Sequence, residues 1–321
     1  MKKYMLRRVA ALIPVLLLAS VLVFLLVREF GADPARVRCQ ASRDVHCRER
    51  AQKELGLNAS LPEQFVTFMG DFVRGDWGQS QRTDQSVAES IRGDLWETSQ
   101  LAFWAVLFSG GIALAVGVYS ASRPYSRGDY LFTGLAFAGI AMPTFWFGLL
   151  TIQYLAFEPQ KILGTTEPIF YSIPNPVASG AVDYFRGLAL PVLVLSVQLV
   201  AGWSRYQRSS MLEELNSDYI RTARAKGLTR RRVVWKHGLR NSLSALVTVV
   251  ALDVGALFGG LIITERIFSR PGMGTLLLSA VNNGDTQIVL PWMLVVGAFI
   301  IVFNLIADVA YGILDPRVRL Q

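Results

Sequence analysis

Apolar blocks about as long as a bilayer crossing recur along this chain, and no other feature constrains its fold as much. The first covers residues 9–27 (VAALIPVLLLASVLVFLLV) and follows MKKYMLRR; further blocks span roughly 99–120, 130–157, 187–204, 243–264 and 288–310. A hydrocarbon core of about 30 Å takes roughly 20 helical residues to cross. Inside it the backbone has no water to bond, so such blocks must be helices. The sequence therefore predicts an all-α integral membrane protein with about six transmembrane helices. Composition agrees, at 52% hydrophobic and 17% charged over 321 residues, where a soluble domain carries about 25% charged.

The first block has the basic start of a secretory signal, but it exceeds the usual apolar length of about 7–15 residues. Arg28-Glu29-Phe30 follows in place of a small-residue cleavage site. It reads as a retained helix, with a cleaved signal as the alternative. Pro143 in the third block is expected to kink that helix. Gly255-x-x-x-Gly259 in the fifth is a small-residue pattern that lets helices approach closely, or generic glycine use.

Charge sets the expected orientation. Residues 1–8 carry +4, loop 121–129 carries +1, and tail 311–321 carries +1. Loop 205–240 holds ten Lys/Arg against three Asp/Glu, while 28–98, 158–186 and 265–287 carry −2, −1 and 0. Short basic loops stay cytoplasmic, so both termini are expected there, with 28–98 and 265–287 outside. Topology thus accounts for the net charge of +8, and no nucleic acid is needed.

Within 28–98, apolar residues at 65, 66, 68, 69, 72 and 73 form a helical stripe, and 87–104 reads as a run-in to the second span. These are either interfacial helices lying on the membrane or helices packed on their own loop. Cys39 and Cys47 also lie here. An oxidising compartment favours a disulfide between them; a metal site with His46 does not match usual ligand spacings.

The cytoplasmic loop, 205–242, is long for a connector. Met211, Leu212 and Leu215 give a small apolar face that Tyr219, Ile220, Ala223 and Leu228 continue, and Gly227 reads as a helix stop after Arg224 and Lys226. A second amphipathic piece, RRRVVWKHGL, leads into the fifth span. The shape is a helical elbow offering a short helix to a soluble partner. Arg230–Arg232 suit anchoring to anionic lipid or to a neighbouring helix.

DYIRTARAKGL (218–228) followed by HGLRNSL (237–243) resembles the cytoplasmic loop of permease subunits in bacterial ABC importers for dipeptides, oligopeptides and nickel. LGLNASLPEQF (55–65), RGDWGQS (74–80), RTDQSVAESI (82–91), AMPTFWFG (141–148), GGLIITERIFSRPGMG (259–274) and YGILDPRVR (311–319) resemble family segments in the expected order. The chain is identified as a member on this ordered set. It departs from the general importer motif, which begins with glutamate where this chain has Arg221 and ends in Leu-Pro where it has Leu239-Arg240.

The resemblance implies a type I ABC importer permease in a bacterial inner membrane. It implies a second homologous permease subunit, two ATPase subunits or domains, and an extracytoplasmic binding protein. ATP and Mg would sit on the ATPases, with no cofactor on this chain. The coupling segment maps to Tyr219, Ile220, Arg221, Thr222, Ala223, Arg224, Ala225, Lys226, Gly227 and Leu228. Peptide is the favoured cargo, with nickel or glutathione as alternatives. A nickel path would tend to need His or Cys, and Cys39, His46 and Cys47 lie in a loop.

Enzyme chemistry finds little support. Neither G-x-x-x-x-G-K-[ST] nor H-E-x-x-H occurs, and His46 and His237 fall in opposite compartments. Asp253 within the fifth block is either pore-lining or a helix–helix hydrogen-bonding group; a proton-coupled secondary transporter would need such an acid. Asp308 suits snorkelling or capping near the sixth block's end. Between these blocks, Phe268, Met273, Leu276, Leu277 and Val281 give an apolar stripe, with Pro271-Gly272 forcing a turn before it. That stripe is expected either to gate the path and dock the binding protein, or merely to connect two spans.

Overall fold

A computed structural model describes residues 2–39, 44, 46–165, 167–174, 180–259 and 261–314; Gly260 and positions 315–321 of the expected tail lie outside them. Among the described residues the structure is helical, with one isolated bridge between Gln79 and Ser86. The chain opens with α1 (Lys2–Phe30), then α2 (Pro34–Arg38), α3 (Cys47–Glu54) and α4 (Leu61–Arg74). Next come α5 (Val87–Ser122), α6 (Arg127–Ala141) and α7 (Thr144–Thr151), a π-helical segment (Ile152–Phe157), and α8 (Glu158–Leu163). The second half holds α9 (Ala181–Leu215), α10 (Asp218–Ala225), α11 (Arg230–Arg232), a π-helical segment (Val233–Gly238) and α12 (Leu239–Phe258). It closes with α13 (Ile262–Ile267), α14 (Met273–Asn283) and α15 (Thr286–Leu314).

Among the described residues five helices are long and apolar enough to cross a membrane, and α6 with the bent continuation Thr144–Leu163 raises this to six if the two count as one span. The third expected span is therefore broken rather than kinked: its two halves meet at 103°. Met142 and Pro143 occupy the break in extended conformation. The residue before a proline is steered away from helical dihedrals, which ends α6 there. Two other expected boundaries move outward. The run-in at 87 and the second span form one helix of 36 residues, and the fourth span continues to Leu215. At 1.5 Å per residue α5 is about 54 Å long, so it projects well beyond a hydrocarbon core. The fifth span instead stops early, at Phe258.

The bundle is built on α5 against α9, with α12 against both α9 and α15, and α1 on the outside of α15. Glycine permits the closest approaches. A Cβ at Gly117 of α5 would fall 2.7 Å from the Cβ of Gln207 on α9. At Gly255 a Cβ would meet Phe303 Cβ at 3.3 Å and Ile300 Cα at 3.4 Å, so the first glycine of the Gly-x-x-x-Gly pattern seats α12 on α15. Broad apolar exposure remains on α1, α5 and α6, including Leu18, Leu22, Phe103 and Leu131. In lipid that exposure needs no protein partner.

Candidate functional site

Two regions at opposite ends of the bundle carry the polar geometry. At the basic end, Ser217 precedes α10 and Gly227 ends it. Gly227 has φ +78°, a left-handed conformation that glycine adopts without penalty. Its N–H donates to Arg224 O at 2.9 Å, and Leu228 N–H donates to Ala223 O at 3.3 Å. This is the paired closure of a Schellman cap. Ile220 and Ala223 face inward, onto a cluster with Val118, Met211, Leu215, Val233 and Val234. Asp218, Arg221, Thr222, Ala225 and Lys226 face out, as does Tyr219 at its edge. Helix α10 and its cap are thus two-sided, and their outward surface is small, basic and centred on Thr222 and Ala225.

Three polar ties clip α10 to the bundle. Tyr219 donates its hydroxyl hydrogen to the Glu214 carboxylate at the end of α9 and accepts from Asn241 Nδ2 on α12 at 2.8 Å. Arg224 donates to Leu215 O at 3.3 Å. Burial, and then the Glu214 contact, hold the Tyr219 phenol above its ordinary pKa. Gly238 lets the segment before α12 lie against α9: a Cβ there would come 2.9 Å from Met211 Cε and 3.0 Å from Leu215 Cδ2. Any displacement of α10 therefore acts on α9 and α12 together.

Nearby, Arg208 on α9 grips Asp129 with two hydrogen bonds of 2.6 and 2.7 Å. Tyr125 N–H also donates to Asp129, at 2.9 Å. No spacing rule links residues 79 apart, and sequence reasoning missed this pair. Arg230 donates to the Ser122 carbonyl at the end of α5, which gives it a partner within the chain rather than lipid alone.

Midway, Asp253 accepts from Trp203 Nε1 at 2.6 Å, joining α12 to α9. Trp203 is buried and Asp253 half-buried. Of the two alternatives for Asp253, the helix–helix hydrogen bond is present. It sits in the second half of α12.

At the other end, the segment between α12 and α15 folds as two short helices about a turn. The expected stripe is divided by that turn. Phe268 precedes it and packs with Ala156, Leu190 and Val194, whereas Met273 lies across it in a separate cluster with Val87, Ile91 and Trp292. Leu276 and Leu277 pack against that second cluster, and Val281 is exposed. The turn expected at Pro271-Gly272 is present, and it separates Phe268 from the rest of the stripe.

Glu265, unremarked in the sequence, organises the turn. It is fully buried; its Oε1 accepts from Thr98 Oγ1 at 2.8 Å and its Oε2 accepts from Thr275 N–H at 2.8 Å. Thr98 Oγ1 in turn accepts from Met273 N–H at 2.8 Å. Burial raises the Glu265 pKa, opposed by the hydrogen bonds from Thr275, Thr98 and Gly274. A Cβ at Gly272 would fall 2.3 Å from Glu265 Oε1, and one at Gly274 would fall 2.7 Å from Ile262 N, so side chains are excluded at both. Arg270 donates to Glu97 at 2.8 Å and to Gly187 O at 3.4 Å. The turn is latched to α5 and α9 at once.

The 28–86 segment shares this end. Ser80 Oγ donates to Asp285 Oδ2 at 2.5 Å, and Arg82 donates to Asn283 O at 3.3 Å. Cys39 and Cys47 are joined by a disulfide between α2 and α3.

Two family models match the sequence. That for the binding-protein-dependent transport system inner membrane component covers residues 113–320, and the N-terminal model of the same membrane component covers 1–95. The chain belongs to this family. It is an ABC importer permease, integral to the bacterial inner membrane. Over 99% of its length the permease is 36% identical to the whole oligopeptide transport system permease protein AppB of Bacillus subtilis. It is 34% identical to the dipeptide transport system permease protein DppB of Escherichia coli K12, and 35% identical to the glutathione transport system permease protein GsiC of E. coli O1:K1 / APEC, each over 99% of both chains. Membership places the ordered motifs of this permease in a transport subunit and sets the secondary-transporter alternative aside.

Proposed function

We propose that this permease forms half of an ATP-driven import path for peptides. It would pair with a second homologous permease and take cargo from an extracytoplasmic binding protein. Two ATPase subunits or domains would drive it, binding ATP and Mg themselves while this chain catalyses nothing. The observation that carries the reading is α10: a capped helix with an outward face of small and basic residues, clipped to α9 and α12. A short helix so mounted converts a push from a soluble partner into movement of two spans. The basic loops argue for both termini and α10 lying in the cytoplasm.

Peptide is favoured because relatives named for oligopeptide and dipeptide transport match end to end. Glutathione, itself a short peptide, is kept as the second reading by the equally complete match to a glutathione permease. The turn latched by Glu265 is the proposed outer gate, with Phe268, Pro271, Gly272, Met273, Leu276 and Leu277 shaping it and Asp253 fixing the spacing of the path helices beneath. The test has two parts. Affinity purification of the tagged chain should bring a second permease, an ATPase and a binding protein together. Uptake in vesicles should be competed by di- to oligopeptides rather than by nickel ions, and glutathione competition alone would move the substrate to the second reading. Recovery of the chain without any ATPase would overturn the proposal.

A further inference from the structure

Helix α4 divides into four sectors around its axis. Phe65, Phe68 and Phe72 face the protein: Phe65 and Phe68 lie 5.4 and 6.4 Å, centroid to centroid, from Phe24 of α1, and Phe72 stacks on Trp77 at 5.0 Å. At 100° per residue, Pro62, Val66, Met69 and Val73 fall together beside that sector. Val66 and Val73 are 68% and 79% exposed. Glu63, Gly70 and Arg74 form the third, polar sector. The helix is self-contained, with a Ser60–Glu63 capping box at its start and Gly75 in left-handed conformation at its end.

What covers the exposed apolar sector follows from its direction. Leu61 and Gln64, at the start of α4, line one groove with Leu22, Leu25 and Leu26 on the exposed face of α1. The fourth sector, opposite the apolar one, holds Gln64, Thr67 and Asp71 and lines another groove with Thr286 and Gln287 at the start of α15. The apolar stripe therefore points away from α15, and the helix that carries it starts beside the lipid-exposed face of α1. Depth agrees. The crossing is at Phe24, and Arg28 donates to Gln64 at 2.8 Å. Phe24 lies six residues before the end of α1 at Phe30, about 9 Å along the axis. Interfacial helices bury their apolar face about 5–10 Å into the boundary between headgroups and acyl chains.

We propose that α4 lies in the bilayer interface, with Pro62, Val66, Met69 and Val73 against lipid and Glu63 and Arg74 toward water. It would act as a collar that fixes the height of α1. Sites 66, 73, 63 and 74 would each be changed to cysteine, leaving the native disulfide in place, and spin-labelled in the full importer in phospholipid nanodiscs. Labels at 66 and 73 should collide more with oxygen than with a water-soluble nickel chelate, and those at 63 and 74 the reverse. A stripe open to the chelate would overturn the proposal. So would a stripe shielded from both quenchers, which means protein cover by the second permease or the binding protein. The wild-type chain gives an independent reading with a lipid carrying a photoreactive acyl chain. Adducts on the 61–74 peptide support the collar, and adducts on Leu22 and Leu25 without any on that peptide contradict it.

Discussion

Thr98 and Glu265 stand 2.8 Å apart, both fully buried, and their contact ties the turn after α13 to α5. Glu265 also accepts the Thr275 N–H. Thr98→Val would strip both a donor from the carboxylate and an acceptor from Met273 N–H. Leaving buried groups unpaired costs about 1–3 kcal/mol. Thermal unfolding of the purified chain should show that loss, with the 261–284 segment the first to become protease-sensitive.

The same residue predicts a pH dependence. Burial raises its folded pKa above the unfolded value, so folding favours the protonated acid. Its contribution is fully present below the unfolded carboxyl range and is lost as pH rises through the folded pKa. Glu265→Gln should flatten that part of the stability profile. An unchanged slope in the variant would mean another group titrates there.

Arg208→Ala should be among the more damaging changes at the basic end. It leaves the Asp129 carboxylate buried, with only part of its hydrogen bonding intact. Breaking a buried pair from one side costs about 3–5 kcal/mol, toward the lower figure here because Arg208 retains some exposure. Arg208→Lys keeps the charge but not the two-pronged contact and should fall between. Chemical denaturation in mild detergent checks the order.

Reduction of the Cys39–Cys47 bond should cost little. A nine-residue loop restrains the unfolded chain by about 2–3 kcal/mol, and α2 and α3 also pack on each other. Reduced protein should still assemble, with a lower unfolding midpoint; failure to assemble would give the bond a larger role.

Much of this was legible beforehand. Apolar runs gave the spans because lipid leaves the backbone no alternative to helix. Gly227 marked the end of α10 because glycine alone sits cheaply at a left-handed cap. The inward direction of Ile220 and Ala223 was visible as an apolar face, although not what it would pack on. Other features had no local signal. Asp129–Arg208 and Thr98–Glu265 join residues far apart in sequence, and only the α5–α9 packing and the turn after α13 bring them together. The turn at Pro271-Gly272 was legible, but not that it would send Phe268 to a different cluster from Met273. A kink at Pro143 was legible, but not a break of 103°, whose second half packs against α9 and α13.

On the proposed function, the outward face of α10 receives the ATPase. Ala225 lies at the middle of that face, so Ala225→Trp blocks the surface without touching the inward cluster. The measurement is peptide uptake together with ATP hydrolysis in vesicles holding the complete importer. If α10 is the contact, the variant should bind the ATPase at least about tenfold more weakly, about 1.4 kcal/mol. Uptake should then fall to the level seen without ATP while the chain remains inserted. Wild-type uptake, with hydrolysis still stimulated by the loaded binding protein, would contradict it.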